Sequence, residues 1–381
     1  MKARVAGSLI DDLRERVAAT GPLTFLDFME LALYHPRHGY YASRVPGFGS
    51  DYCTSPSITP LFGRLVGREL CWMWEALGHP VPFWVIEAGA GLGDLAAAAL
   101  EDAGAETGAI RWRFVERFER VRGWQAHRLG GLAEVAEWSP SLAGERPVAG
   151  CVLANEVLDN FPAHLLVVGP GGEPQEVYLD LDGSHLVEQF GPVSSRSLEA
   201  PAREAGAQLP EGSRFELCPA LGPWLDEAAR ALECGYVLLI DYGDVEPSLW
   251  LEHPAGTIAT HGPVDLSRSV LEDPGAKDVT IGVNFSAVGR AAASAGFTDQ
   301  SLCSQQAWLL SLGLARLAEE LELAGFQAAL CGWLQDAAAH QAQLNTLLGL
   351  ADPEGLGSIF VFRAAKDAPA PHAVRGAWAP G

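Results

Sequence analysis

A strand, a glycine-rich turn and a helix follow one another between Phe83 and Leu100 of this 381-residue chain. The apolar run Phe83–Ile86 predicts a buried parallel strand, and Glu87–Gly93 then places three glycines at alternate positions. An alanine-rich helical pattern begins at Leu95. This order of elements is typical of the ligand-binding corner of a doubly wound sheet. The chain is therefore predicted to contain an open α/β sheet whose parallel strands alternate with helices.

The glycine spacing distinguishes between two kinds of ligand. Dinucleotide folds favour G-x-G-x-x-G, with a pyrophosphate at the helix N-terminus, whereas this run is E-x-G-x-G-x-G. The second form is typical of proteins that hold S-adenosylmethionine, and bare backbone at Gly89, Gly91 and Gly93 admits its ribose and amino-acid moiety. We therefore predict S-adenosylmethionine as the cofactor, bound by these glycines and Glu87. A glycine turn without a ligand is the alternative.

A second acidic residue follows the next predicted strand. Ile110–Glu116 alternates like a strand, and Glu116 lies roughly twenty positions after the glycine turn, where such folds place a ribose-binding carboxylate. Its two oxygens can accept hydrogen bonds from both hydroxyls of one ribose. Glu116 is therefore predicted to bind the cofactor, and an acidic residue in the first turn of a helix is the alternative.

The amino-acid composition restricts the partners and the compartment that can be expected for this chain. The net charge of −22 argues against duplex nucleic acid, because phosphate neutralisation supplies most of that affinity. Seven scattered cysteines without a C-x-x-C motif favour reduced thiols in a cytoplasmic protein. No stretch approaches the ~20 uninterrupted apolar residues of a membrane span. The ten histidines show no metal-ligand pattern, so no metal site is expected.

The hydrophobic periodicity of the sequence predicts that the chain has three parts. Residues 1–80 are expected to form an N-terminal helical cap with a substrate-side loop at 34–60, residues 81–365 an α/β domain, and residues 366–381 a disordered tail. The α/β domain is expected to carry insertions at about 162–215 and 244–285 and a helical segment at about 305–349. Strands are predicted at about 83–88, 110–116, 132–137, 149–155, 164–168, 235–243 and 358–363. Residues 176–190 are expected to form two antiparallel strands joined by a hairpin turn at Asp182-Gly183. Irregular structure is expected at 191–213 and 256–285.

Polar side chains follow the apolar strand that ends near residue 155. Asn155, Glu156 and Asp159 come directly after it, and Asp241 follows the strongest strand pattern in the chain. Because ligands of open parallel sheets bind outside the carboxyl ends of their strands, Asn155, Glu156 and Asp159 are predicted to be catalytic. Paired carboxylates suit a guanidinium, whose planar fork they bind bidentately. The alternative for Asp159 and Asp241 is that they cap helices or brace loops.

Several longer motifs resemble those of the MidA-like class I methyltransferases. The resemblance runs from about Phe25 to Phe362, and its pieces occur in the family's order. They are Leu33–Tyr41, Gly49–Pro56, Glu87–Gly93, Glu116, Gln125, Asn155–Pro162, Glu216–Pro219, Ile240–Gly243, His261, Asp278–Thr280, Asn284–Phe285, Gln305 and Leu312–Gly313.

The resemblance implies a Rossmann-like class I methyltransferase sheet with an N-terminal helical cap and inserted elements. It implies S-adenosylmethionine as cofactor and, from a mitochondrial member that methylates a complex I subunit, an arginine of a protein as acceptor. That acceptor could be a respiratory-complex subunit. Asn155 and Glu156 would face the reacting centre. The residues expected on the substrate side are Tyr40, Tyr41, Thr54, Pro56, Asp241 and His261.

Departures from the family pattern keep other functions open. Ser57 and Thr59 stand where the family has glutamate and serine, and Gly282 and Asn284 stand where histidine and aspartate are common. These changes permit a small-molecule acceptor, or a non-catalytic assembly protein that retains the fold. A nucleotide-binding oxidoreductase is disfavoured by the glycine spacing. The apolar helices at 305–349 suggest a homodimer contact, although burial within the subunit explains them equally well.

Overall fold

The chain folds into two compact units. The computed structural model describes residues 8–43, 55–144, 146–183, 185–262, 267, 269–378 and 380. The first unit consists of Met1–Tyr52, Leu158–Pro223 and Gly243–Val288, and the second of Cys53–Val157, Trp224–Tyr242 and Gly289–Gly381. The helix that begins at residue 60, expected within the cap, thus belongs to the second unit. The boundary of the cap stays a prediction.

Helices and strands are numbered here in chain order. The helices are α1 Leu9–Thr20, α2 Phe25–Tyr34, α3 Tyr40–Ser43, α4 Ser55–Ile58, α5 Pro60–Ala76, α6 Asp94–Ala99, α7 Ala105–Thr107, α8 Glu119–Leu129, α9 Arg196–Gly206, α10 Leu221–Ala231, α11 Ser248–Leu251, α12 Phe285–Ser294, α13 Gln305–Ser311, α14 Leu314–Leu330 and α15 Leu334–Gly349. The strands are β1 Leu23–Thr24, β2 Phe83–Ala88, β3 Ile110–Val115, β4 Ala136–Ser139, β5 Val148–Asn155, β6 His164–Val168, β7 Pro174–Asp182, β8 His185–Gly191, β9 Arg214–Leu217, β10 Leu232–Asp241, β11 Gly243–Asp244, β12 Ala259–His261, β13 Asp278–Thr280, β14 Val283–Asn284, β15 Thr298–Ser304 and β16 Phe360–Lys366.

The second unit contains a seven-stranded sheet in the order β15-β16-β10-β5-β2-β3-β4. Its strands from β10 to β4 are parallel, and β16 runs antiparallel to both of its neighbours. The chain order reverses between β2 and β5, which is where open α/β sheets place their ligands. The predicted α/β fold class is confirmed.

Close helix packing positions the helix that follows the glycine turn. Thr59 caps α5 by accepting a hydrogen bond from Leu61 N, and Pro60 occupies its first turn. A Cβ on Gly63 would lie 2.6 Å from the Cβ of Ala98, so only glycine lets α5 approach α6 this closely. The alanine-rich pattern of α6 is therefore explained by contact with α5.

The first unit contains an antiparallel sheet in the order β1-β7-β6-β9, with β8 paired to β7. The hairpin predicted between the two long strands is confirmed, since Asp182 lies opposite His185. One apolar cluster of this unit packs helices α1 and α2 with side chains of β6, β7 and β8. A second cluster packs α9 and α11 with side chains of β6 and β9.

Five expectations about local structure are wrong. Residues 191–213 were expected to be irregular but contain α9, because Leu198, Ala202 and Ala205 form one buried stripe that outweighs the internal Pro201. The strand expected at 132–137 is a 3₁₀ turn followed by β4, and strand β15 was not expected. Short strands pair within 256–285, and short helices occur in the described parts of 34–60.

The fifth of these expectations concerns the tail. Residues 366–381 were expected to be disordered, but Leu302 and Trp378 exchange backbone hydrogen bonds at 2.6 and 2.9 Å. Val374 is buried, and His372 Nδ1 lies 3.4 Å from a carboxylate oxygen of Glu69. Apolar and aromatic side chains therefore fix the described part of this segment onto the second unit.

Candidate active site

The three glycines of the turn all adopt left-handed backbone conformations. Their φ angles are 64° at Gly89, 52° at Gly91 and 86° at Gly93. L-residues with side chains rarely adopt such angles. A Cβ on Gly89 would lie 2.7 Å from Val157 Cγ2, whereas a Cβ on Gly91 would have no described atom within 4 Å. The turn is therefore packed on one side and open at Gly91.

Glu87 lies buried at the end of β2, directly before this turn. Its side chain is 2% exposed, and Trp112 Nε1 on the neighbouring strand donates a hydrogen bond to Oε2 at 2.8 Å. Burial raises the pKa of Glu87 to about 8, with a smaller contribution from the charge of Asp94. The carboxyl is therefore mostly neutral at pH 7.

Glu116 lies at the end of β3, beside the same edge. Its Oε1 accepts a hydrogen bond from the Phe118 backbone at 2.8 Å, and its carbonyl oxygen accepts from Arg122. Partial burial raises the pKa of Glu116 above its ordinary value. The Phe118 hydrogen bond holds the carboxylate and the Arg122 bonds hold the backbone of Glu116 at the carboxyl edge of the sheet, and its ribose role stays a prediction.

Glu156 follows β5 in a strained conformation. Its φ is 53°, and a left-handed backbone in a residue other than glycine is a feature of functional sites. Oε1 accepts hydrogen bonds from Asn155 Nδ2 at 3.1 Å and from Ser55 N at 3.4 Å. Burial, followed by the charge of Asp241, raises the pKa of Glu156 to about 8. Asn155 Oδ1 is buried and accepts no hydrogen bond within the described chain.

Asp241 braces this conformation from β10. It is fully buried, and its two carboxylate oxygens accept hydrogen bonds from Val157 N at 3.1 Å and Tyr242 N at 2.9 Å. Glu156 N donates to Ile240 O at 2.8 Å. The carboxylate of Asp241 therefore holds backbone at the ends of β5 and β10, and its expected place on the substrate side stays a prediction.

The predicted tyrosines lie in the first unit. Tyr40 is 1% exposed and packs edge-on against Tyr41, with 5.1 Å between ring centroids, so Tyr40 is a core residue and not a substrate contact. The hydroxyl of Tyr41 lies 2.8 Å from Asn160 Oδ1 and 3.0 Å from Asp278 Oδ2. Asn160 also donates to Asp278 at 3.0 Å. Tyr41 thus joins a polar network within that unit.

The remaining predicted residues are spread over both units. Asp159 is 7% exposed, and its carbonyl oxygen accepts from Ile281 N at 2.9 Å. His261 is exposed on β12, and Pro56 is half-buried in α4. Thr54 lies outside the described residues. The residues that the structure brings together at one sheet edge are Glu87, Gly89, Gly91, Gly93, Glu116, Asn155, Glu156 and Asp241, and their catalytic and binding roles stay predictions.

Sequence reasoning assigned no role to the side chains that support this edge. Trp112 hydrogen-bonds Glu87, and Gln125 Nε2 donates to Gly91 O at 3.0 Å. Trp138 Nε1 in turn donates to Gln125 Oε1 at 2.9 Å. One signal was available, since Gln125 lies four residues from both Val121 and Leu129 on the apolar stripe of α8.

The residues present fit S-adenosylmethionine. An open space beside the Gly91 backbone admits a ligand that a Cβ would obstruct, and acidic residues lie at the ends of the three neighbouring strands β2, β3 and β5. None of the described residues form a cluster of histidine, cysteine or carboxylate groups that could hold a metal. Within the described chain, no helix combines the length and hydropathy of a membrane span.

Comparison with known proteins decides the family. A family described as "Putative S-adenosyl-L-methionine-dependent methyltransferase" matches residues 65–302, which is more than half of the chain. The chain belongs to this family. The resemblance to MidA-like methyltransferases and the expectation of S-adenosylmethionine as the family's cofactor are confirmed.

Relatives and a solved structure cover most of the chain. The Drosophila melanogaster protein named "Protein arginine methyltransferase NDUFAF7 homolog, mitochondrial" is 29% identical over 76% of this chain and 71% of its own length. The Homo sapiens protein arginine methyltransferase NDUFAF7, also named mitochondrial, is 28% identical over 74% and 68%. A Burkholderia thailandensis protein crystallised with S-adenosyl-homocysteine superposes with a TM-score of 0.83, at 28% identity over 97% of this chain and 95% of that one.

The names of these relatives overturn one expectation. Scattered cysteines led us to expect a cytoplasmic protein. The Drosophila and human relatives are both named as mitochondrial proteins, so the cytoplasmic assignment is wrong. Cysteine usage could not have shown this, because it reports the redox state of a compartment and not its identity.

Proposed function

We propose that this protein transfers a methyl group from S-adenosylmethionine to an arginine side chain of a protein. The observation that carries the proposal is Glu156, a strained and mostly buried carboxyl on the same sheet edge as the open glycine turn. Relatives named as protein arginine methyltransferases support the choice of acceptor.

The geometry of the sheet edge supports a cofactor-binding role for the glycine turn, Glu87 and Glu116. S-adenosylmethionine supplies an electrophilic methyl group on its sulfonium. The bare backbone from Gly89 to Gly93 would hold its amino-acid end, and Glu116 would accept hydrogen bonds from the ribose hydroxyls. Glu87, buried beneath the turn, would face the positive charges of the ligand through the glycine backbone. A nearby cation favours the ionised form of a buried carboxyl, so ligand binding would draw a proton from Glu87.

On the acceptor side, Glu156 would bind and orient the guanidinium. A carboxylate matches the planar fork of arginine, and Asn155 holds its Oε1 through the 3.1 Å hydrogen bond. A guanidinium brought close would lower the pKa of Glu156 and stabilise the carboxylate. The carboxylate can then accept the proton that leaves the nitrogen as it is methylated. Asp241 would act by holding the backbone around Glu156.

The acceptor protein and the assembly state belong to the same proposal. The family resemblance implies a respiratory-complex subunit as the acceptor. The relatives are named as protein arginine methyltransferases, which supports a protein substrate. A homodimer would use the helical segment at 305–349, where Phe326 is 61% and Trp333 63% exposed. Exposed aromatic side chains of this size are enriched in protein interfaces.

Transfer of labelled methyl groups tests the proposal. The protein would be incubated with methyl-labelled S-adenosylmethionine and either a protein extract or a small-molecule extract. We expect label in the protein fraction, recovered as methylarginine by mass spectrometry. Glu156→Gln should reduce the rate of labelling roughly 10²-fold. Glu354→Gln, which makes the same change at an exposed position, should leave it unchanged. Label in the small-molecule fraction alone would replace arginine as acceptor, and label in neither fraction would favour an assembly protein.

A further inference from the structure

Gln125 is a fully buried polar side chain on the apolar stripe of α8. The stripe consists of Val121, Gln125 and Leu129, which are spaced four residues apart and face the same way. Gln125 is 0% exposed. Burying an amide costs free energy unless hydrogen bonds replace those lost to water, and a leucine would fill this position without that cost. The polar group therefore needs an explanation other than packing.

Both ends of the Gln125 amide are hydrogen-bonded, and the partners fix its orientation. Nε2 donates to the carbonyl oxygen of Gly91 at 3.0 Å, and Oε1 accepts from Trp138 Nε1 at 2.9 Å. An indole N–H can only donate and a carbonyl oxygen can only accept, so the reversed amide would lose both bonds. Trp138 is itself held by stacking on Phe114, with 5.4 Å between ring centroids and 16° between the planes.

The contact reaches the part of the glycine turn that has most freedom. Gly91 is open on its Cβ side, and glycine loses more conformational entropy on ordering than any other residue. Gly93 N donates to Ala90 O at 2.8 Å across the turn. The stem of Gln125 packs beside Gly93, where a Cβ would lie 3.6 Å from Gln125 Cγ. Gln125 thus holds the Gly91 carbonyl and supports Gly93 at the same time.

We propose that Gln125, held by Trp138, is a positioning residue for S-adenosylmethionine binding. It fixes the peptide between Gly91 and Leu92 before the ligand arrives, so that binding does not carry the entropic cost of ordering the turn. The inference rests on the proposed function, since it concerns the same cofactor site. It assigns Gln125 no contact with the ligand and no part in the chemical step.

Calorimetric titration with S-adenosyl-homocysteine tests the inference. Gln125→Leu keeps the volume and removes both hydrogen bonds, of which the one to Gly91 O reaches the turn. Loss of that bond predicts roughly tenfold weaker binding. Trp138→Phe keeps an aromatic ring and removes the donor to Gln125 but leaves the bond to Gly91 O, so we expect a loss of about threefold.

The matched control is Arg128→Gln. Arg128 lies on the same helix and its Nε donates to Asp94 Oδ1 at 2.6 Å, so it also links α8 to the start of α6, but through an exposed ion pair. If Gln125 acted only by docking α8 against α6, Arg128→Gln would weaken binding as well. We expect it to bind like the wild type.

Steady-state kinetics separates positioning from stability. A positioning role predicts that Gln125→Leu raises the KM for S-adenosylmethionine and leaves kcat and the acceptor KM unchanged, whereas a partly unfolded variant would lose kcat. In Gln125→Glu, a neutral carboxylic acid could still donate to Gly91 O, so its binding deficit should shrink as the pH falls.

Failure of this inference and failure of the proposed function give different results. If the wild type does not bind S-adenosyl-homocysteine, the proposed function is lost. If the wild type binds and folded Gln125→Leu binds equally well, only the role of Gln125 is refuted. Should Gln125→Leu fail to fold, equal affinity of Trp138→Phe and the wild type would refute it instead.

Discussion

Replacing Glu87 by glutamine should stabilise the protein increasingly as the pH rises. Glu87 is 2% exposed, and burial raises its pKa from the ordinary value of 4.5 to about 8. Ionisation of this carboxyl is therefore easier in the unfolded chain than in the folded one. Glutamine has no charge to lose and can accept the same hydrogen bond from Trp112 Nε1.

The size and sign of the effect follow from this pKa. Because the pKa of Glu87 is higher in the folded than in the unfolded chain, the stability of the wild type is not reduced by this group below about pH 4.5. It falls as the pH rises from there to about 8, where the folded-state carboxyl ionises. At ~1.36 kcal/mol per pKa unit, the loss reaches ~5 kcal/mol above pH 8 and ~3 kcal/mol at pH 7. The free energy of unfolding of Glu87→Gln should exceed that of the wild type by these amounts, and by less than ~1 kcal/mol at pH 5.

Urea denaturation from pH 5 to pH 9 measures this difference. Glu69→Gln is the matched control with the opposite sign, because Glu69 is equally buried but faces Arg363 and His372. Burial alone would raise the pKa of Glu69, and the hydrogen bond from His372 with the charge of Arg363 instead lowers it. Glu69→Gln should therefore lose ~3–5 kcal/mol at neutral pH, because it leaves a buried charge unpaired. A pH-independent difference between Glu87→Gln and the wild type would refute the reasoning.

Three further variants or pairs of variants test the proposed pocket, the role of Glu156 and the homodimer. Gly91→Val should abolish S-adenosyl-homocysteine binding in calorimetry by filling the open space, while Gly108→Val, with a similar φ of 63° and equally open surroundings, should bind normally; equal affinity of both would remove the proposed pocket. In pH–rate profiles of the wild type, kcat/KM should rise through about pH 8 as Glu156 ionises. Glu156→Gln should keep its affinity for the cofactor but lose roughly 10²-fold in rate. Unchanged turnover of this variant would exclude Glu156 from the catalytic site. The protein should sediment as a dimer and Phe326→Glu with Trp333→Glu as a monomer, and a monomeric wild type would contradict this.

The glycine corner could be predicted from sequence because its signals are local. The apolar run Phe83–Ile86, the alternating glycines and the alanine-rich helix are neighbours in the chain, and each demands a specific backbone. Glu116 and Glu156 could be placed for a related reason. Parallel strands end at one edge, so residues that follow such strands meet there whatever the intervening chain does.

Contacts between distant segments could not be predicted in the same way. The indole donors Trp112 and Trp138 reach the corner from neighbouring strands, and strand order is not visible in any one segment. Tyr40 belongs to the family-specific motif Leu33–Tyr41, but its burial depends on packing within the first unit, which the motif does not show. Helix α9 could have been predicted from its local sequence but was not. Its composition is typical of loops, although its apolar residues recur with the helical period of 3.6.

A crystal structure of the protein grown with S-adenosyl-homocysteine would show whether the glycine turn binds the cofactor. We expect ligand density against the backbone of Gly89, Gly91 and Gly93, with the ribose hydroxyls within hydrogen-bonding distance of the Glu116 carboxylate. Density at any other place, or a glycine turn that is empty at saturating ligand, would refute the proposed cofactor site.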